Sequence, residues 1–127
     1  MIDQLLINAI GDALAIELPG VYIGRQHTHD DITLPALLLS IEGEAVVGGN
    51  IYRGTLTAMA VSASADTTST AHAEFAKNAD AAIRALSISD PPDVALYGVV
   101  ATGTSAEVDQ NQFRTGITYI VGYGPTA

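Results

Sequence analysis

The chain has 127 residues, 48% of them hydrophobic, and a formal net charge of −9 from 14 acidic and 5 basic side chains. This length and composition suffice for one domain with its own core, and the acidic balance argues against binding to nucleic acid phosphates or anionic membranes. The absence of cysteine excludes disulfides and thiolate metal sites. With no signal peptide pattern and no run of about 18 apolar residues, we expect a single cytosolic domain over residues 1–127.

The first predicted element is an amphipathic helix over residues 2–17. Its apolar residues recur at helical spacing, and Asp3 lies in the first turn, where a carboxylate complements the helix dipole. Pro19 and Gly20 end the helix. A short strand at residues 21–23 then precedes a polar loop.

A long hairpin follows the loop. Residues 36–42 alternate between two faces, with the leucines and isoleucine at the odd positions on one of them. Gly48 and Gly49 supply the backbone freedom that a hairpin tip needs. The returning strand runs from about Ile51 to Ala63, and its small side chains on one side would let a helix approach the sheet closely.

The second half of the chain predicts a helix and two or three strands. Several N-cap residues over 66–70 begin a helix that reaches about Leu86, and strands follow at 94–101 and 113–123, with residues 105–108 allowing a third. We therefore predict an α+β, two-layer fold in which two helices pack on a mostly antiparallel sheet of four to six strands with a long β-hairpin. The predicted apolar stripe of the second helix, with His72 just beside it, comprises Ala71, Phe75, Ala79, Ile83 and Leu86.

One loop carries residue types that could ligate a divalent metal: His27, His29, Asp30 and Asp31. Imidazole and carboxylate groups suit zinc, nickel or manganese. The group is confined to five residues and no other histidine-rich segment joins it, so we favour a solvated loop and expect no cofactor. The sequence also lacks a Walker-type glycine loop and a nucleophile elbow, so we predict no catalytic residues and no enzymatic activity.

Apolar and aromatic residues around the hairpin and the last strand predict an interface between copies of the chain. Long apolar edges of a sheet are usually covered by another surface. Packing against the two helices of the same chain is an equally open interpretation. The interface candidates are Val46, Val47, Ile51, Tyr52, Tyr119 and Tyr123.

The order and length of these elements resemble the tail terminator, or tail completion, proteins of long-tailed bacteriophages. The resemblance spans nearly the whole chain. It is carried by the end of the first helix at Leu18–Tyr22, the segment Leu34–Leu39, the returning strand at Leu56–Val61, and the alanine-rich helix through Ala79–Leu86.

The resemblance implies a homo-oligomeric ring, a hexamer, that caps the tail tube protein and ends tube polymerisation. Such a ring joins the tail to the head-side connector or stopper protein, and DNA passes through it without specific binding. The implied location is the tail and neck of the virion, after assembly in the host bacterial cytoplasm. A hexamer would carry 6 × −9 = −54 formal charges, and an acidic channel would not hold DNA. By position alone, the channel-facing candidates are Glu42, Glu44 and Asp66.

Three other functions remain open at this point. The first is another head–tail connector, neck or tail tube component of the same particle. The second is a small-molecule-binding α+β module, which would need an apolar pocket with convergent polar groups. The third is a metal-dependent enzyme built on the loop from His27 to Asp31.

Zinc addition and chelation test the metal hypothesis. A solvated loop predicts the same melting temperature in excess zinc and in a chelator, because only a ligand that binds the folded state raises that temperature. Thermal unfolding followed by circular dichroism measures the difference. A zinc-dependent rise that the variant His27→Ala/His29→Ala abolishes would contradict the solvated loop.

Overall fold

Two helices pack on one face of an open five-stranded sheet. The computed structural model describes residues 2–25, 33–45, 51–88, 94–109 and 111–125. In chain order the elements are α1 (Ile2–Glu17), β1 (Tyr22–Gly24), β2 (Ala36–Ala45), β3 (Tyr52–Ala63), α2 (Ser69–Arg84), β4 (Val94–Asp109) and β5 (Gln112–Pro125). The strand order is β1-β2-β3-β5-β4, and only β1 and β2 run parallel. The predicted α+β, two-layer fold is confirmed.

The hairpin of β2 and β3 forms as the alternation predicts. Its register runs from Ala36 opposite Val61 to Ala45 opposite Tyr52. Leu37, Leu39 and Ile41 of β2 are at most 3% exposed and belong to the core beneath the helices. Their partners on β3 are also buried: Ala60 faces Leu37, Ala58 faces Leu39 and Leu56 faces Ile41. The two small alanines leave room for the helix layer. Within the described ranges, neither helix is long and apolar enough to cross a membrane.

The last hairpin differs from the sequence prediction, because the two predicted strands after α2 are one strand. β4 stays paired with β5 from Val94 to Asp109. Two register shifts, at Leu96/Gly98 and Ala101/Gly103, absorb an extra residue each. The polar run in the middle of β4 therefore remains a strand because β5 supplies its backbone partners.

The second helix is rotated relative to its predicted stripe. Thr68 is the N-cap, with its side-chain oxygen accepting a hydrogen bond of 3.1 Å from the Ala71 N–H. Ala71 is exposed and His72 is buried, which corrects the prediction that His72 lies beside the stripe. The rotation is possible because His72 finds hydroxyl partners in the sheet. The buried residues of α2 are His72, Ala76, Ala79 and Ile83.

Two tyrosines of β5 connect the sheet to both helices. The Tyr119 hydroxyl donates to Asp80 of α2 at 2.7 Å, and the Tyr123 hydroxyl donates to Asp3 of α1 at 2.6 Å. Burial, reinforced by the neighbouring carboxylate, raises the pKa of each tyrosine, so both hydroxyls remain protonated donors. Both residues have no exposed surface. The prediction that Tyr119 and Tyr123 form an intermolecular interface is therefore wrong, because the fold itself buries them.

Gly43 of β2 leaves the space that the Tyr123 hydroxyl occupies. A Cβ added at Gly43 would overlap that hydroxyl and lie 3.2 Å from Oδ1 of Asp3. By contrast, a Cβ added at Gly122 of β5 would have no atom within 4 Å. The two glycines therefore differ in what a methyl group would meet.

The pair Gly43→Ala and Gly122→Ala tests the packing of the Tyr123 hydroxyl against Gly43. We expect Gly43→Ala to lower the free energy of unfolding by about 1–3 kcal/mol, because it overpacks the tyrosine site. Gly122→Ala should change it by less than about 0.5 kcal/mol, because the methyl group meets only solvent. Urea unfolding followed by tyrosine fluorescence measures both values.

The variant Tyr123→Phe identifies the cause of the destabilisation. It removes the clashing hydroxyl, so its cost in the Gly43→Ala background should be smaller than in the parent protein. Equal destabilisation by the two glycine variants, or strictly additive effects of Gly43→Ala and Tyr123→Phe, would contradict the proposed packing.

Candidate functional site

The face of the sheet opposite the helices exposes apolar side chains on β5 and β4. Ile120 of β5 is 44% exposed and Val100, its partner on β4, is 65% exposed. The residues flanking Ile120, Tyr119 and Val121, are fully buried on the helix side. Because side chains alternate along a strand, Ile120 and Val100 point away from the helix layer.

This exposed pair belongs to a row that crosses four strands. Glu42, Thr55, Ile120 and Val100 are successive cross-strand partners, and all four are exposed. The row therefore joins a carboxylate on β2 to an apolar pair on β5 and β4. The shallow depression along it is lined by Glu42, Gly43, Arg53, Gly54, Thr55 and Ile120.

Bare backbone lies beside the apolar pair. Gly98 and Gly122 face each other across β4 and β5, and a Cβ added at either position would have no neighbour within 4 Å. Tyr97, at the adjacent irregularity of β4, is 60% exposed. A glycine in a strand often marks a place where another backbone approaches closely. This part of the sheet is therefore accessible to another chain.

β4 is an edge strand of unusual length and composition. It spans 16 residues, and no charged side chain occurs between Val94 and Ala106. Natural proteins usually protect such edges with charges, prolines or bulges. Here the protection consists of the two register shifts and of Glu107 near the end of the strand.

Two of the remaining predicted interface residues lie near the start of β3: Ile51 just before it and Tyr52 as its first residue. Ile51 is 52% exposed. Tyr52 is half-buried, and its ring stacks on that of Tyr123 with centroids 5.6 Å apart. Val46 and Val47 lie outside the described residues. Ile51 therefore presents apolar surface next to the hairpin, whereas Tyr52 contributes mainly to the core.

The predicted channel-facing carboxylates do not form one cluster. Glu42 is exposed on the open face, and Asp66 is exposed in the turn after β3. The segment Thr55–Ala63 separates them, and at about 3.3 Å per residue its eight steps span roughly 26 Å. Glu44 pairs with Arg53 in the strand register, and its side chain lies outside the described part of the chain.

The metal-ligand hypothesis concerns residues outside the described ranges. His27, His29, Asp30 and Asp31 all fall between the described segments 2–25 and 33–45. Among the residues that the structure does describe, no group of three or more histidine or acidic side chains could hold a metal ion. Metal binding by this loop is therefore tested by the zinc addition and chelation experiment.

A buried histidine with two hydroxyl partners is a site that sequence analysis missed. Nδ1 of His72 lies 2.8 Å from Oγ of Ser62, and Nε2 lies 3.0 Å from Oγ1 of Thr115. A serine beside a histidine could suggest a nucleophile and its base, but a triad places a carboxylate on the second ring nitrogen. Here that nitrogen contacts a threonine. The arrangement links α2 to β3 and β5, and burial lowers the pKa of His72.

Comparison with known proteins identifies the fold only. No protein-family model matches the sequence, and no curated protein matches it. The architecture itself recurs, because 24 chains of solved structure match it. One of these, which carries no functional name, is 15% identical over 97% of this chain and 92% of its own length, with a TM-score of 0.60. At that identity the similarity shows a shared fold and does not show a shared function.

The buried histidine generates a pH prediction. Because burial lowers the pKa of His72 below its ordinary value of 6.5, the unfolded chain binds a proton at higher pH than the folded chain does. The contribution of His72 to stability is therefore present above pH 6.5 and is lost as the pH falls towards the folded-state pKa.

Urea unfolding of the parent protein and of His72→Gln between pH 8 and pH 5 measures this contribution. Glutamine can keep hydroxyl contacts and does not titrate. The unfolding free energy of the parent minus that of His72→Gln should therefore decrease as the pH decreases. A difference independent of pH would contradict the assignment.

Proposed function

We propose that this protein is a structural protein of a long-tailed bacteriophage particle that forms a ring, a hexamer, at the end of the tail tube. The ring ends polymerisation of the tube protein and offers a surface to the head-side connector or stopper protein. The observation that carries the proposal is the open sheet face around Val100 and Ile120, where the edge strand β4 has no charged side chain between Val94 and Ala106. An exposed apolar surface of this kind suits assembly with other chains.

The fold supports the same proposal. The resemblance to tail terminators rests on an N-terminal helix, a long hairpin, a second helix and terminal strands. Those elements occur in that order in the structure. The exposed apolar surface around Val100 and Ile120 is formed by β4 and β5, the last two elements of that series.

The charge of the protein fits a passage for DNA. Each copy carries a formal net charge of −9, and a hexamer would carry −54. Polyanionic DNA releases counterions only where cationic groups neutralise its phosphates. A ring with an acidic lumen would let DNA pass without holding it. Glu42, exposed on the open face, is the described candidate nearest to the apolar pair.

A small-molecule-binding module is the second candidate function. An apolar cleft of about 270 Å³ lies where β3 meets α2, with Asp66 and Ser62 among its lining residues and Phe75 on its wall. Ligand pockets commonly measure about 300–1,000 Å³. This cleft is below that range. The larger depressions, of about 650 Å³ on the open sheet face and about 350 Å³ between the ends of the two helices, are surfaces that assembly with another chain would cover.

Light scattering over a concentration series tests the proposal. A hexamer should have a mass of 6 × 13.1 kDa, about 79 kDa, and negative-stain images should show single rings with a central channel. Stable contacts between subunits typically bury about 800 Å² per partner. A ring held together by contacts of this size should persist on dilution. A persistent monomer would contradict the ring, and long tubes at high concentration would identify a tube subunit instead.

A further inference from the structure

We propose that copies of this chain dock head to tail, with the open sheet face of one copy against the helix layer of the next. The first surface is the open-face patch, defined as Arg53, Val100 and Ile120. The second is the helix groove, which lies between the C-terminal ends of α1 and α2. This inference rests on the proposed ring and names the two surfaces that would close it.

The helix groove is an apolar depression with an exposed rim. It is lined by residues that include Ala13, Ile16 and Glu17 of α1, Ala82 of α2 and Leu86 just beyond α2. Ile16 is 79% exposed, the highest value among the exposed large hydrophobic residues of the described chain. The small alanine side chains leave space at the bottom of the groove. The groove can therefore accept side chains from another surface.

The two surfaces lie on opposite layers of the domain. Ile120 points away from the helices because its neighbours Tyr119 and Val121 are buried beneath them. Ile16 lies on the helix layer itself. A two-fold contact of either surface with itself would leave the other surface exposed. Contact of one surface with the other covers both, and such a heterologous contact forms a ring when its rotation closes.

Charge selects the same pairing. Arg25, Arg84 and Arg114 each form an ion pair with a carboxylate of their own chain. Arg53 is exposed in the open-face patch, and Glu17 is exposed in the helix groove. Arg53 can meet Glu17 when the patch docks on the groove, whereas two grooves would bring carboxylates together. Self-docking of the open face is less strongly disfavoured, because Glu42 lines the same depression as Arg53. The partner that fits the patch is therefore a second copy of this acidic chain.

Single lysine substitutions test each surface separately. Val100→Lys in the patch and Ile16→Lys in the groove should each weaken assembly by roughly tenfold or more, because each places a charge in an apolar contact. Val108→Lys is the matched control: Val108 is on the same strand and is 75% exposed, but it lies outside the patch. Urea unfolding should show that all three variants remain folded, since all three positions are exposed.

Mixing the two variants tests the head-to-tail geometry. Val100→Lys keeps an intact groove and Ile16→Lys keeps an intact patch, so an equal mixture should form a pair of 2 × 13.1 kDa, about 26 kDa. The pair should grow no further, because its two remaining surfaces are the substituted ones. In addition, Arg53→Glu should weaken assembly of the parent, and adding Glu17→Arg to it should restore assembly.

The outcomes separate this inference from the ring itself. If the parent forms rings but the mixture yields no pair, the patch–groove contact is wrong and the ring stands. If Val100→Lys disrupts assembly and Ile16→Lys does not, the contact joins like surfaces, and the head-to-tail geometry is wrong. A parent that stays monomeric at every concentration contradicts the proposed function.

Discussion

The attachment of both helices to one strand determines the rest of this structure. Tyr119 and Tyr123 project from β5 into the core, and their hydroxyls reach Asp80 and Asp3 on the two helices. Each buried ring contributes a large apolar area, and each hydroxyl is satisfied by a carboxylate, so neither burial leaves an unpaired donor. Because both anchors lie on the same side of β5, the helices occupy that side. Ile120 and Gly122, which alternate with these buried residues along β5, lie on the opposite, open face.

The sequence predicts those features of the fold that depend on local patterns. The alternation of β2 and the periodicity of α1 depend on side chains that are near one another in the chain. The burial of Tyr119 and Tyr123 could not be predicted in this way, because their partners are 39 and 120 residues distant in sequence. The burial of His72 likewise depends on hydroxyls from two strands, and the continuity of β4 depends on its pairing with β5. The exposure of Val100 follows only once the side of the sheet that the helices cover is known.

The few cationic groups of the chain are placed where they affect the surface in different ways. Three of the five are held by carboxylates of the same chain, where exposed pairs contribute little to stability. They nevertheless reduce the positive surface available to anions. Arg53 instead lies on the open face, in a row next to the apolar pair. An acidic domain with one positive group beside its apolar surface can stay soluble and still favour one orientation of a like-charged partner.

The edge strand explains why we propose docking through side chains on a face, with the backbone edge left unpaired. Addition of strands to β4 would extend the sheet from copy to copy without a geometric limit, the route by which exposed edges aggregate. The two register shifts interrupt the regular ladder of β4, and Glu107 places a carboxylate near its end. In the proposed face-to-groove contact no backbone ladder would run from copy to copy, and the patch and the groove would set the angle between neighbouring copies. A fixed rotation can close after a defined number of copies, which is what a ring at the end of a tube requires.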